Sequence, residues 1–98
     1  MFKLYLKGLI LFGMFMLVPA NYIRTVQGKT FVMKENYTYA KHCKVKDGFR
    51  WKCSRQHSQS CNAYLVVDYN GFIVKGNTEH THTPLQYYCN KNGEYLRL

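Results

Sequence analysis

Beyond residue 20 the apolar and polar positions alternate in short runs, and apolar residues nowhere recur at the three-and-four spacing of a helix face. β-Branched and aromatic residues dominate these runs, as befits a pleated, half-buried surface. The alternation predicts short strands over Thr30–Lys34, Tyr37–Val45, 49–55, 61–69 and 71–75, the last running on toward His80. Asp47-Gly48 and Asn70-Gly71 predict hairpin turns, because both pairs accept the positive φ that tight turns demand. The polar run Gln56-His57-Ser58-Gln59-Ser60 predicts a loop. The expected fold is all-β, a small antiparallel sheet of about four strands. Residues 85–98 show no clear pattern and predict a loosely ordered tail.

Residues 1–20 follow a different pattern. Lys3 and Lys7 precede an uninterrupted apolar run over 8–18, and Pro19-Ala20 follows it. This is the shape of a secretory signal with cleavage after Ala20. The run falls short of the about 20 apolar residues that a membrane span needs, so no membrane partner is expected. The sequon Asn36-Tyr37-Thr38 suits a secreted chain.

A chain of 98 residues has room for one domain. A domain of that size buries proportionally little surface and gains from a metal or disulfides. With 14 Lys+Arg against 5 Asp+Glu the chain is strongly basic, with a pI of about 9.5. That balance favours an anionic partner such as nucleic acid or an acidic membrane surface, or else serves only solubility. Five scattered acids, without paired carboxylates or a phosphate-cradling Gly-rich loop, argue against an enzyme and a small-molecule substrate. Nothing local supports a Cys–His nucleophilic pair.

Four cysteines and four histidines are many for this length. The informative pattern is Cys53-x7-Cys61-x18-His80-x-His82. Structural zinc takes four such ligands in a tetrahedron, and Cys2His2 is one of its usual sets. Cys53 near the end of one strand and Cys61 near the start of the next would be returned side by side by the polar loop. On an extended segment His80 and His82 project to one face, whereas on a helix they would diverge by about 200°. The alternative is a Cys53–Cys61 disulfide with solvated histidines, one of three pairings open to four cysteines. His42, Cys43, His57 and Cys89 fall outside the pattern.

The chain from residue 22 to 84 resembles the FLYWCH zinc finger, and most of all the C-terminal fingers of insect BTB chromatin proteins. The elements that carry the resemblance are Tyr22 or Ile23, Val32, Tyr39, Trp51-Lys52-Cys53, Cys61-Asn62-Ala63 and His80-Thr81-His82. Arg50-Trp51-Lys52-Cys53 and the His-x-His pair are the specific ones. The family's initial Phe is here Tyr22 or Ile23, its Leu is Val32, and the glycine of its first hairpin turn is Asn36. Asn tolerates the left-handed backbone such a turn needs. The resemblance implies a WRKY-like antiparallel sheet of four strands, pinned at one end by Zn2+ on Cys53, Cys61, His80 and His82. It also implies a nuclear binder of DNA or of chromatin proteins. The division is then a leader over 1–20, a finger over 21–84 and a tail over 85–98, and the leader becomes either a true signal or an extension appended to a complete finger.

Trp51 is expected in the core beneath the zinc, with Tyr39, Val66 and Ile73. The strand pair around Asp47-Gly48 carries Lys41, Lys44, Lys46, Arg50, Lys52 and Arg55, with Asp47 the one acid among them. A two-stranded ribbon fits the DNA major groove, which would bring Lys44, Lys46 and Arg50 nearest the DNA. The bland alternative is a solvated strand. Two other functions stay open at this point, a protein-interaction finger without specific DNA binding and a secreted disulfide-stabilised protein.

Overall fold

A computed structural model describes residues 18–98. Residues 1–17 of the leader lie outside this range; its last three residues lie within it. Among the described residues nine strands form one sheet: β1 (Val18–Pro19), β2 (Asn21–Thr25), β3 (Thr30–Lys34), β4 (Tyr37–Val45), β5 (Gly48–Cys53), β6 (Tyr64–Asp68), β7 (Phe72–Asn77), β8 (Tyr87–Cys89) and β9 (Glu94–Arg97). The order across the sheet is β1-β7-β6-β5-β4-β3-β2-β9-β8. Strands β2 to β7 are an antiparallel meander in which each pairs with the next. β1 adds to the β7 edge, β9 lies parallel to β2, and β8 closes a hairpin on β9.

The all-β expectation holds, and the sheet extends beyond the expected four strands on both sides. β2 buries only Ile23 and Thr25 and leaves Asn21, Tyr22 and Arg24 exposed, which weakens its apolar signature. The tail, expected to be loosely ordered, forms the β8–β9 hairpin. Asn90 organises its turn: its side-chain oxygen accepts from the Asn92 and Glu94 N–H groups at 2.9 and 3.0 Å, and Gly93 takes a φ of 77°. The expected loop after Cys53 contains one helical turn, α1 (Gln56–Gln59), closed by left-handed Ser60 at a φ of 53°. Among the described residues no helix is long and apolar enough to cross a membrane.

The turns divide into those that need a left-handed backbone and one that needs space. Between β3 and β4, Glu35 and Asn36 have φ values of 53° and 69°, the two positive angles of a type I′ hairpin. Gly71 has a φ of 88°, and the Asp68 carboxylate accepts from the Asn70 and Phe72 N–H groups around it, both at 2.9 Å. At Asp47-Gly48 the reason differs from expectation. Val45 pairs with Gly48, so Lys46 and Asp47 make the turn, and neither Asp47 nor Gly48 has a positive φ. Gly48 is required because a Cβ there would run into the Val67 carbonyl oxygen and lie 2.7 Å from the Asp68 Cα.

One face of the sheet is the core. Val32, Tyr39, Trp51, Cys53, Cys61, Ala63, Leu65, Val67 and Ile73 form it, with Val18, Ala20, Tyr37 and Phe49 packed at its margin. Burying side chains such as Leu65 and Ile73 contributes about 1.5–3 kcal/mol each. Val66 is buried too, but on the opposite face from its neighbours Leu65 and Val67, beside Arg50 and Lys75 across the strands. A bulge at His42 shifts β4 by one residue, so that Lys41 pairs with Trp51 while Lys44 pairs with Phe49. Lys41 lies on the core-side face by alternation with Tyr39, the bulge brings Lys44 to that face as well, and Cys43 turns outward with Arg50.

Candidate metal centre

Cys53 ends β5, and Cys61 follows α1 just before β6, so α1 and Ser60 return the second thiol beside the first. Both cysteines are buried and both are free thiols, and Cys43 and Cys89 are exposed free thiols. The Cys53–Cys61 disulfide alternative is therefore not what the fold forms.

His80 and His82 come from the segment after β7. Expectation put them on an extended strand; they lie instead on an irregular stretch with a bend at Thr81 and His82. Their rings are not parallel neighbours but stand at 85° to each other. The bend presents different nitrogens: Nδ1 of His80 lies 3.3 Å from Cys61 Sγ, and Nε2 of His82 lies 3.2 Å from Cys53 Sγ. All four ligand atoms fall within 4.8 Å of one another. A tetrahedral zinc, with about 2.3 Å to sulfur and about 2.0–2.1 Å to nitrogen, separates S and N ligands by about 3.5 Å. The donor set and its spacing fit zinc, which these four residues would hold.

Neighbouring groups fix how each ligand is presented. His82 Nδ1 lies 2.8 Å from the Thr83 carbonyl, which can only accept, so Nδ1 carries the proton and Nε2 is left for the metal. His80 Nε2 lies 2.7 Å from the Tyr39 hydroxyl, which receives its N–H when Nδ1 is the ligand. The Tyr37 ring stacks on His80 with centroids 3.5 Å apart, and its hydroxyl donates to the His82 carbonyl at 2.8 Å. Thr81 donates to the Gln59 carbonyl at 2.9 Å and ties the histidine segment to α1. The Arg55 N–H points at Cys53 Sγ from 3.4 Å.

The electrostatics follow from burial. Burial pushes the Cys53 thiol up to about 11, against the Arg55 N–H that favours its thiolate. At Cys61 burial also opposes ionisation, but the N–H groups of Ala63 and Thr81 outweigh it and bring the thiol below its ordinary value. Cys61 thus favours its thiolate more than Cys53 does, and zinc, if bound, would be held by both sulfurs as thiolates. Burial, and then the charge of His82, lower His80 and favour the neutral ring that binds metal. Burial raises Tyr39 well above a tyrosine's usual range and keeps its hydroxyl protonated.

The six basic residues singled out in the sequence do not share a face. Lys41 and Lys44 lie on the core-side face and Arg50 and Lys52 on the outer face, as the register requires. Lys46 sits in the turn at one end of β5, while Arg55 follows Cys53 at the other, beside the metal. Lys75, not among the six, faces Val66 and so joins Arg50 in one cross-strand row of the outer face. Lys46, Arg50 and Lys75 line a shallow recess of about 330 Å³ there, and the Arg50 guanidinium lies 4.0 Å over the Tyr64 ring. Tyr37 also went unread in the sequence, although its place two residues before Tyr39 sets it on the same face of β4.

Residues 22–82 match the family described as the FLYWCH zinc finger domain. No curated protein and no solved structure matches the chain.

Proposed function

Because the chain belongs to the FLYWCH zinc finger family, we propose that its zinc-pinned sheet is a nuclear DNA-binding module of transcription or chromatin regulation. It acts by binding and not by catalysis. The observation that carries this reading is the β4–β5 hairpin, whose cations have no acidic partners. Lys34–Glu35 is the one ion pair among the described residues, at 3.9 Å, and it lies outside the Lys41–Arg55 cations. β3 pairs with β4 only as far as Ala40, so the stretch of β4 from Lys41 to Val45 projects beyond it as an edge. Cations stand on both faces of the sheet beside this edge and at the β4–β5 turn, while β5 is covered by β6 on its other side. A sheet edge entering a groove meets a phosphate backbone on either side, which is the distribution that such cations suit.

Zinc held by Cys53 would anchor the other end of β5. The test is duplex DNA affinity across a salt series for the zinc-loaded chain and for the Lys44→Ala, Lys46→Ala double variant. The expected result is a steep salt dependence whose slope falls by about one per lysine removed. A parent affinity that is weak and indifferent to salt overturns the reading and leaves a finger that binds protein.

A further inference from the structure

The core-side face opens beside the hairpin into a cleft of about 440 Å³, inside the range of about 300–1,000 Å³ typical of ligand pockets. Trp51 and Val67 form its floor, and Tyr22, Phe49 and Tyr69 its aromatic walls. Two aromatic pairs bracket it: Tyr22 with Trp51 at 5.7 Å between centroids, and Phe49 with Tyr69 at 6.1 Å. Tyr22 and Tyr69 are half or more exposed, at 50% and 61%, so two walls offer their rings to a ligand rather than to the core. Aromatic surface of this extent otherwise gains by burial, and here the folded chain leaves it open.

The polar groups of the cleft decide what fits. Lys41 Nζ stands 3.9 Å from the centre of the Phe49 ring, and Lys44 is paired with Phe49 on the same face. One carboxylate, Asp68, lines the cleft, and its Oδ1 already accepts two backbone N–H groups. A cationic ligand would therefore meet an ammonium group already seated on the ring, in a chain of formal net charge +9. A flat aromatic ligand with an anionic attachment meets stacking walls, Lys41 in the lining and Lys44 across from Phe49 on the same face. That description is a nucleotide, and its base must be unpaired, because a base inside a duplex has both faces covered.

We infer that the cleft formed by Tyr22, Phe49, Trp51 and Tyr69 stacks an unpaired base of a single-stranded nucleic acid, with Lys41 and Lys44 on the adjoining phosphates. This rests on the nucleic-acid reading above and deepens it: the hairpin holds backbone, and the cleft adds a preference for strands whose bases are free.

Trp51 is the chain's one tryptophan and lies on the cleft floor, so its emission reports occupancy directly. The zinc-loaded full chain is titrated with a labelled single-stranded oligonucleotide and with an abasic strand of equal length and charge, following Trp51 emission and label anisotropy together. The expected result is quenching by the base-bearing strand alone, with affinity at least about fivefold above the abasic strand. Tyr22→Ala and Tyr69→Ala, separately, are expected to remove that preference while leaving zinc content and abasic-strand binding unchanged. Equal affinity for both strands without quenching, alongside salt-dependent duplex binding, overturns the cleft and spares the DNA reading. Failure of every strand and duplex to bind overturns both. Quenching by a trimethyl-lysine peptide in place of the oligonucleotide overturns the base assignment in favour of a cation.

Discussion

Tyr37 lies flat against His80, the two ring planes within 3° and their centroids 3.5 Å apart, while its hydroxyl reaches past to the His82 backbone. One side chain thus sets the ring angle of one ligand and the backbone position of the other. Such outer partners of metal ligands typically change affinity by about 10- to 100-fold when removed. Tyr37→Phe keeps the stack and loses the hydroxyl bond, with an expected cost of about 1 kcal/mol. Tyr37→Leu loses both, and its zinc affinity should fall toward the larger factor. Competition against a calibrated chelator separates the two variants; equal affinities would show that the stack does nothing for the metal.

Acid should release the metal in a defined direction. An unfolded histidine takes its proton near 6.5, whereas burial and the charge of His82 hold folded His80 below that value. Between the two values the unfolded chain binds more protons, so stability falls as pH drops. The contribution is whole above about 6.5 and is lost on descent through the folded value. Zinc adds in the same sense, because only the neutral ring binds it. Melting curves and zinc release measured from about pH 7.5 to pH 5 should show both declining together, while a flat profile would exclude His80 as a ligand.

Gly48→Ala should destabilise through space alone. The added methyl meets the Val67 carbonyl of the paired strand, and overpacking of this kind costs about 1–3 kcal/mol. In a domain this small each kcal/mol lowers Tm by about 4–8 °C. Gly71→Ala tests the other reason for a glycine, since no atom lies within 4 Å of its added Cβ and only its φ of 88° resists. A Tm loss at Gly71 but none at Gly48 would reverse the assignment.

Val18 and Ala20 pack on the core margin, and the Ala20 N–H donates to the Gly71 carbonyl at 2.8 Å. A chain starting at Asn21, as cleavage after Ala20 would leave it, should be less stable than one starting at Val18. Partial burial and the β1 hydrogen bonds suggest a difference of about 1–2 kcal/mol. Denaturant midpoints of the two chains decide it; equal midpoints would make β1 dispensable.

The Cys2His2 cluster was legible because chemistry constrains it: few residue types can hold zinc, and their spacing leaves little freedom. The meander from β3 to β7 was legible for a similar local reason, since its alternation and its Asn-Gly signal lie within a few residues of each pairing. What escaped depends on distant partners. Nothing near Arg24 announces that it will pair with Glu94, and the one local cue to the tail hairpin is Asn92-Gly93, the same signal as Asn70-Gly71. The bend at Thr81 and His82 escaped because alternation predicts extension unless another contact overrides it, and here Tyr37, Gln59 and the metal geometry do. The His42 bulge, which moves Lys44 to the core-side face, left no mark in the charge pattern at all.

The sheet order also implies a sequence of events in time. Strands β2 to β7 meet their partners across short connections, so their loops close at small entropic cost and early. The seam between β2 and β9 closes a loop of some seventy residues, from Arg24 to Glu94, with only two paired positions to hold it. The molecule should therefore assemble as a metal-locked meander first and acquire its outer strands last. In the folded state the same edge would open most often, so amide protons of β8 and β9 should exchange with solvent well before those facing the zinc.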